Sequence, residues 1–163
     1  PKGPMMLRAM LALALFTQAA TAEDFSSAML KGADLSGQDL AGSDFSGAFL
    51  GEANLTGATV DGATFDGALL TDATMTGCSA KGAIFTGAVL KDADLSGCAL
   101  AGADFTGALL EGASLAHADL TGASLRSTLM AGADLTGATV TEVDFTDARL
   151  CDALMPDGTR GAC

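Results

Sequence analysis

The sequence predicts an all-β chain wound into a solenoid that turns a corner every five residues. A large apolar residue stands at nearly every fifth position through 26 uninterrupted units from Phe25 to Leu150, and only Ala80 is small. Ala stands two residues before most of these centres, and Gly stands two residues after most of them. A period of five fits neither an α-helix, with about 3.6 residues per turn, nor a flat strand, whose side chains alternate. Gly tolerates the backbone angles of a turn in each unit, so a coil with regular corners fits best.

A second period, of 20 residues, indicates that four units complete one coil. Six of the eight Phe residues fall on every fourth centre, and Leu125 takes the remaining place in that series. We therefore predict an inner ladder of stacked Phe rings along one face of the solenoid. Its members are Phe25, Phe45, Phe65, Phe85, Phe105 and Phe145.

The units GADLS, GADFT and GADLT resemble the pentapeptide-repeat family, whose pattern is Ala-(Asp/Asn)-Leu-x-x. The resemblance covers residues 23–150 and implies a right-handed quadrilateral β-helix of about 6.5 coils, each of 20 residues. It also implies that the Ala-type and Leu-type positions point inward and the other three positions point outward. Coils of this kind are stabilised by stacking on their neighbours rather than by one globular core.

Residues 1–22 have the layout of an export signal. Lys2 and Arg8 supply positive charge, residues 9–16 form a short apolar run, and Ala20-Thr21-Ala22 matches a small-x-small cleavage site. The run is too short to span a bilayer, and a buried first helix is the alternative interpretation. We expect cleavage before Glu23 and export to the bacterial periplasm or the extracellular space, with no membrane span afterwards.

The first residue is not Met, so residues 1–4 are interpreted as an upstream remnant before a start at Met5 or Met6. The whole chain has a formal charge of −12. Cleavage after residue 22 removes Lys2 and Arg8 but no acidic residue, which leaves 6 basic and 20 acidic side chains, a charge of −14. Such acidity argues against direct binding of nucleic acid or of anionic membranes, because both need a basic surface.

The residue before each centre points outward in this geometry and is mostly polar on three faces. On the fourth face it is apolar in six successive coils: Met29, Phe49, Leu69, Val89, Leu109 and Leu129. We call these six residues the apolar stripe. An exposed apolar patch with a polar rim usually marks an interaction surface, so the stripe predicts a protein partner or self-association. Cross-strand packing without any partner, or a covering tail, would also account for the pattern.

The four cysteines form two pairs in the sequence pattern. Cys151 and Cys163 flank a segment that leaves the repeat at a Pro156-Asp157-Gly158 turn. The ending is similar to that of many pentapeptide-repeat proteins, which supports a cap over residues 151–163 closed by a disulfide. Cys78 and Cys98 occupy the same inward position in consecutive coils, at a distance a disulfide could span. Because ladder side chains point in parallel, we expect two free thiols there, with the bridge as the alternative.

No catalytic constellation emerges, and the sequence predicts no enzyme activity and no cofactor or metal. His117 has no Cys or His partner at ligand spacing, and we interpret it as a surface residue. The leading hypothesis is a non-enzymatic exported scaffold or protein-interaction module that uses the apolar stripe. The alternative comes from the resemblance: some family members are acidic DNA mimics that protect topoisomerases. An export signal would take this chain away from cytoplasmic gyrase, which disfavours that alternative.

Overall fold

The computed structural model describes residues 21–163, so the export signal predicted over residues 1–22 lies outside the described residues except for its last two positions. The described chain is held together by parallel β-bridges between residues 20 apart, beginning with Asp24↔Asp44. Four such ladders run through residues 24–144, 29–149, 34–154 and 39–139. Within residues 21–163 each rung is a single bridged residue flanked by two-residue turns, with no longer strand and no helix. The number of coils, about 6.5, stays a prediction.

The unit of residues 48–52, with the first residue of the next unit, illustrates why a five-residue period produces this architecture. Phe49 N donates to Ala28 O of the preceding coil at 2.9 Å, and Leu50 N donates to Leu69 O of the following coil at 2.7 Å. The turn then closes when Ala53 N donates to Leu50 O at 3.0 Å. Backbone groups are thus satisfied between coils and within turns, which a buried or half-buried backbone requires.

The core is a thin column of inward side chains, with Ala and the large apolar centres almost completely buried. Phe25, Phe45, Phe65, Phe85 and Phe105 stack with ring centroids 4.7–4.9 Å apart, as the sequence predicted. Leu125 continues the column, whereas Phe145 lies beyond it and is half-buried. The ring spacing measures the rise of each coil, and it matches the strand spacing of about 4.8 Å.

The C-terminal segment folds back over the end of the solenoid. Leu154 forms an antiparallel bridge with Arg160, and Gly161 N donates to Ala153 O at 2.8 Å. The Cys151–Cys163 disulfide joins the segment to the last bridged coil, with the two Cα atoms 4.2 Å apart. The predicted cap and its bridge are therefore both present in the structure.

Cys78 and Cys98 also form a disulfide, so the expectation of two free thiols was wrong. Stacking on one ladder brings their Cα atoms to 4.6 Å, within bridging range. Parallel Cα–Cβ directions did not prevent pairing, because rotation about each Cα–Cβ bond turns the sulfurs toward one another along the ladder. Both residues are buried at the Ala-type position, where the bridge fills space that Ala occupies elsewhere.

Candidate functional site

All six residues of the apolar stripe lie on one bridge ladder, which pairs each of them with the next and ends at Arg149. From Phe49 to Leu129 the backbone groups are used between coils: Phe49 N donates to Ala28 O, and Phe49 O accepts from Leu30 N at 2.8 Å. In these five residues only the side chains remain available to a partner. The ladder thus presents one apolar side chain per coil at a regular spacing.

The exposure of the stripe is greatest at its N-terminal end. Met29 is 60 % exposed, Phe49 41 % and Leu69 39 %, whereas Val89, Leu109 and Leu129 are half-buried. The three leading residues are therefore the centre of the candidate surface.

One edge of the stripe is a corner rich in carboxylates. Glu52, Asp72 and Asp92 hold positive φ angles of 57–58° there, and Glu111 follows in the next coil. We call these four residues the acidic corner. Its coils are joined by hydrogen bonds, since Asp72 N donates to Lys91 O and Asp92 N to Glu111 O, both at 3.0 Å.

Two lysines moderate the charge of the acidic corner. Lys31 Nζ lies 3.1 Å from Glu52 Oε1, with both side chains well exposed, and Lys91 lies beside Asp92 in the chain. Four carboxylates against two ammonium groups leave this edge of the stripe negative.

The other edge of the stripe has a small residue at the second position of each turn, and the first position is Ser26, Ser46, Asp66, Thr86 or Thr106. Positions 27, 47, 67, 87 and 107 are Ser, Gly, Gly, Gly and Gly, and all five have positive φ angles. A Cβ atom built on Gly67, Gly87 or Gly107 would meet nothing within 4 Å, so the surface above these residues is open. We call this edge the small-residue corner.

Sequence reasoning overlooked one exposed apolar side chain, Ile84. It is 39 % exposed, as Leu69 is, but it lies on the neighbouring ladder between Thr64 and Asp104. The repeat register would have revealed it, because Ile84 directly precedes the centre Phe85. Ile84 is isolated among polar residues and does not extend the stripe.

On the remaining faces many aspartates accept hydrogen bonds from the residue two positions later in their own turn. Ser36 donates to Asp34 Oδ1 from its hydroxyl at 2.6 Å and from its backbone N at 3.1 Å. Such hydrogen bonds lower the pKa values of Asp34, Asp119 and Asp134, and the bond from the hydroxyl has a larger effect than the bond from the backbone N–H. These carboxylates cap turns and stabilise the fold.

Other chemistry is sparse in the described part of the chain. Ligand atoms of Cys151, Asp152 and Cys163 lie close enough to share a metal ion, but the disulfide occupies both sulfurs. His117 is exposed at a turn with a φ of 59°. Within residues 21–163, no helix has the length and apolar character that a membrane crossing requires.

Comparison with known families decides the classification. The model described as pentapeptide repeats matches residues 24–57, 50–87, 88–126 and 118–155, with 8 copies. The chain belongs to the pentapeptide-repeat family. Members of this family are generally structural or protein-interaction proteins rather than enzymes. A comparison with curated proteins finds no match.

Solved structures of pentapeptide-repeat proteins imply a right-handed quadrilateral β-helix for this chain. QnrB1, a plasmid-mediated fluoroquinolone resistance protein, is 24 % identical with a TM-score of 0.52, over 80 % of this chain and 73 % of that one. HetL, involved in heterocyst differentiation regulation in the cyanobacterium Nostoc, is 24 % identical with a TM-score of 0.49, over 96 % and 98 %. A protein of the Arabidopsis thaliana thylakoid lumen is 37 % identical with a TM-score of 0.46, over 76 % and 69 %.

Proposed function

We propose that this protein is a non-enzymatic exported scaffold that binds another protein through the apolar stripe. The observation that supports the proposal is the row of outward apolar side chains led by Met29, Phe49 and Leu69, which are 39–60 % exposed. An apolar patch of this kind, rimmed by polar groups, is typical of protein-binding surfaces. The other outward ladders carry mainly Asp, Asn, Ser and Thr, so the stripe is the surface best suited to hydrophobic association.

Export is supported by the two disulfides together with the signal-like composition of residues 1–22. Disulfides persist in the periplasm and outside the cell, whereas the cytosol keeps thiols reduced. Fractionation of cells expressing the untagged gene product tests this part. We expect a mature protein starting at Glu23 in the periplasm or medium, and full-length protein in the cytoplasm would refute export.

The binding role is tested with two matched substitutions, Leu69→Asp and Ile84→Asp. Both residues are 39 % exposed and apolar, but only Leu69 lies on the stripe. Immobilised wild-type and variant proteins would be compared for capture from an extract of the native compartment, with light scattering to measure self-association. Loss of capture or of oligomer mass with Leu69→Asp alone is the expected result. Equal behaviour of both variants would contradict the proposal.

A second candidate is an acidic mimic of DNA that protects a topoisomerase. The formal charge of −12 favours it, and aspartates recur along three outward ladders. The likeness to QnrB1, at 24 % identity, supports the shared fold alone. A supercoiling assay with DNA gyrase and a quinolone would test it, since a mimic should restore supercoiling activity as its concentration rises. A cytoplasmic location would also be required.

A further inference from the structure

We propose that the occupant of the apolar stripe is an amphipathic α-helix with basic residues beside its apolar side. The inference rests on the proposed function and adds to it the shape and charge of the partner. Three features of the surface lead to it: the spacing of the stripe, the unequal heights of its two edges, and the sign of the charge along one edge.

The spacing of the stripe is closer to that of a helix than to that of a strand. Stacked Phe rings show a rise of 4.7–4.9 Å per coil, so the six side chains span about 24 Å. Along a helix, apolar side chains on one side recur about every 5.4 Å, and five turns span about 27 Å. Along a strand they recur about every 6.7 Å, and five steps span about 33 Å. Over the length of the stripe, the apolar side chains of a helix therefore move out of register with the stripe by less than one coil, whereas those of a strand move out of register by about two coils.

The two edges of the stripe differ in a way that accommodates a helix. At the small-residue corner, Gly67, Gly87 and Gly107 have no side chains, and nothing lies within 4 Å of where a Cβ would be. A helix about 10 Å in diameter can approach closely on that side and cover the stripe. The acidic corner lies on the opposite side, within reach of long side chains from the helix.

The charge along the stripe specifies the polar residues of the helix. Glu52, Asp72, Asp92 and Glu111 outnumber the two lysines among them, and only the Lys31–Glu52 ion pair is formed within this edge. Lys or Arg on the helix would meet unpaired carboxylates, whereas Asp or Glu would be repelled. Such complementarity steers association and excludes wrongly charged partners.

The charge of this chain favours a basic helix over a second copy of the chain. The formal charge is −12, so two copies repel one another, whereas a helix with basic residues is attracted.

Binding of designed peptides tests the inference. Fluorescence anisotropy would measure the affinity of three fluorescein-labelled peptides of about 18 residues. The first has Leu at helical spacing with Lys beside it, and the second has the same composition but with Leu at alternate positions. The third is the first peptide with Glu in place of Lys. We expect the helical Lys peptide to bind at least about ten-fold more tightly than the other two. Its affinity should fall as salt rises from about 50 to 500 mM, because the carboxylates are exposed.

Variants locate the binding and separate the inference from the proposed function. Leu69→Asp should lower the affinity for the helical Lys peptide by at least about ten-fold, whereas Ile84→Asp should change this affinity by less than about two-fold. Glu111→Lys should lower the affinity for the Lys peptide and raise the affinity for the Glu peptide. Misfolding cannot produce opposite changes of this kind. Equal or tighter binding of the alternating peptide, with the same Leu69 dependence, would overturn the helix assignment but leave the stripe as a binding surface. If Leu69→Asp changed neither peptide binding nor partner capture, both proposals would fail.

Discussion

Replacing Phe65 by Ala should destabilise the solenoid more than any change at the end of the same ladder. Phe65 is completely buried between the rings of Phe45, at 4.9 Å, and Phe85, at 4.8 Å, both nearly parallel to it. Truncation of a buried Phe costs about 3–5 kcal/mol, and each aromatic pair contributes about 0.5–1.5 kcal/mol beyond its buried area. Phe65 loses two such pairs and Phe25 only one. We therefore expect about 4 kcal/mol for Phe65→Ala and about 1 kcal/mol less for Phe25→Ala.

Urea unfolding followed by circular dichroism measures these free energies of unfolding. The slopes of the transitions must agree between variants, because a change in slope would indicate partial unfolding of coils rather than one cooperative transition. Phe65→Leu provides a second variant, since Leu125 already occupies this ladder fully buried. It should lose about 1–3 kcal/mol, because both stacked ring pairs are removed while most of the buried volume is kept, and this loss should be smaller than that of Phe65→Ala. A loss below about 1 kcal/mol for Phe65→Ala, or equal losses at Phe65 and Phe25, would refute the stacking argument.

Three further predictions concern the cap, the aspartates and one turn. Cys163→Ser should lower the free energy of unfolding by about 3 kcal/mol, as measured in urea, because Cys151 and Cys163 close a loop 12 residues apart; a wild-type value would show that the cap holds without the bridge. The hydrogen bond from the Ser96 hydroxyl lowers the pKa of Asp94 in the folded protein. The ionised Asp94 therefore stabilises the fold at pH values above its ordinary pKa of 3.8, and this stabilisation is lost as the pH falls below 3.8. Ser96→Ala should flatten the acid side of the melting-temperature profile, and an unchanged profile would contradict this. His117→Gly should raise stability by up to about 1 kcal/mol in the same urea assay, because His117 has a φ of 59°; lower stability would argue that its side chain contributes more than the strain removes.

Much of the fold followed from the sequence because a solenoid repeats one local rule. The spacing of Phe25, Phe45 and Phe65 identified the 20-residue coil, since residues that stack must have compatible shapes, and the family resemblance assigned these positions to the interior. The register also placed Phe49 and Leu69 outward on one face. Ile84 could have been recognised in the same way.

Other features depended on three-dimensional detail. The sequence placed Cys78 over Cys98 but did not decide whether they bond, because that depends on rotation about the Cα–Cβ bonds. It also did not reveal that exposure along the stripe declines from 60 % at Met29 to half-burial at Leu129.

The sequence by itself determined the five-residue period and the 20-residue coil, because both depend only on spacing along the chain. The resemblance to pentapeptide repeats added the inward and outward positions, and with them the location of the apolar stripe. The tertiary structure decided how far each stripe residue protrudes and that Cys78 pairs with Cys98. It also decided how Glu52, Asp72 and Asp92 line one edge while glycines line the other. Those properties arise between coils, where residues 20 apart meet, and they depend on side-chain rotation and corner geometry that spacing does not specify.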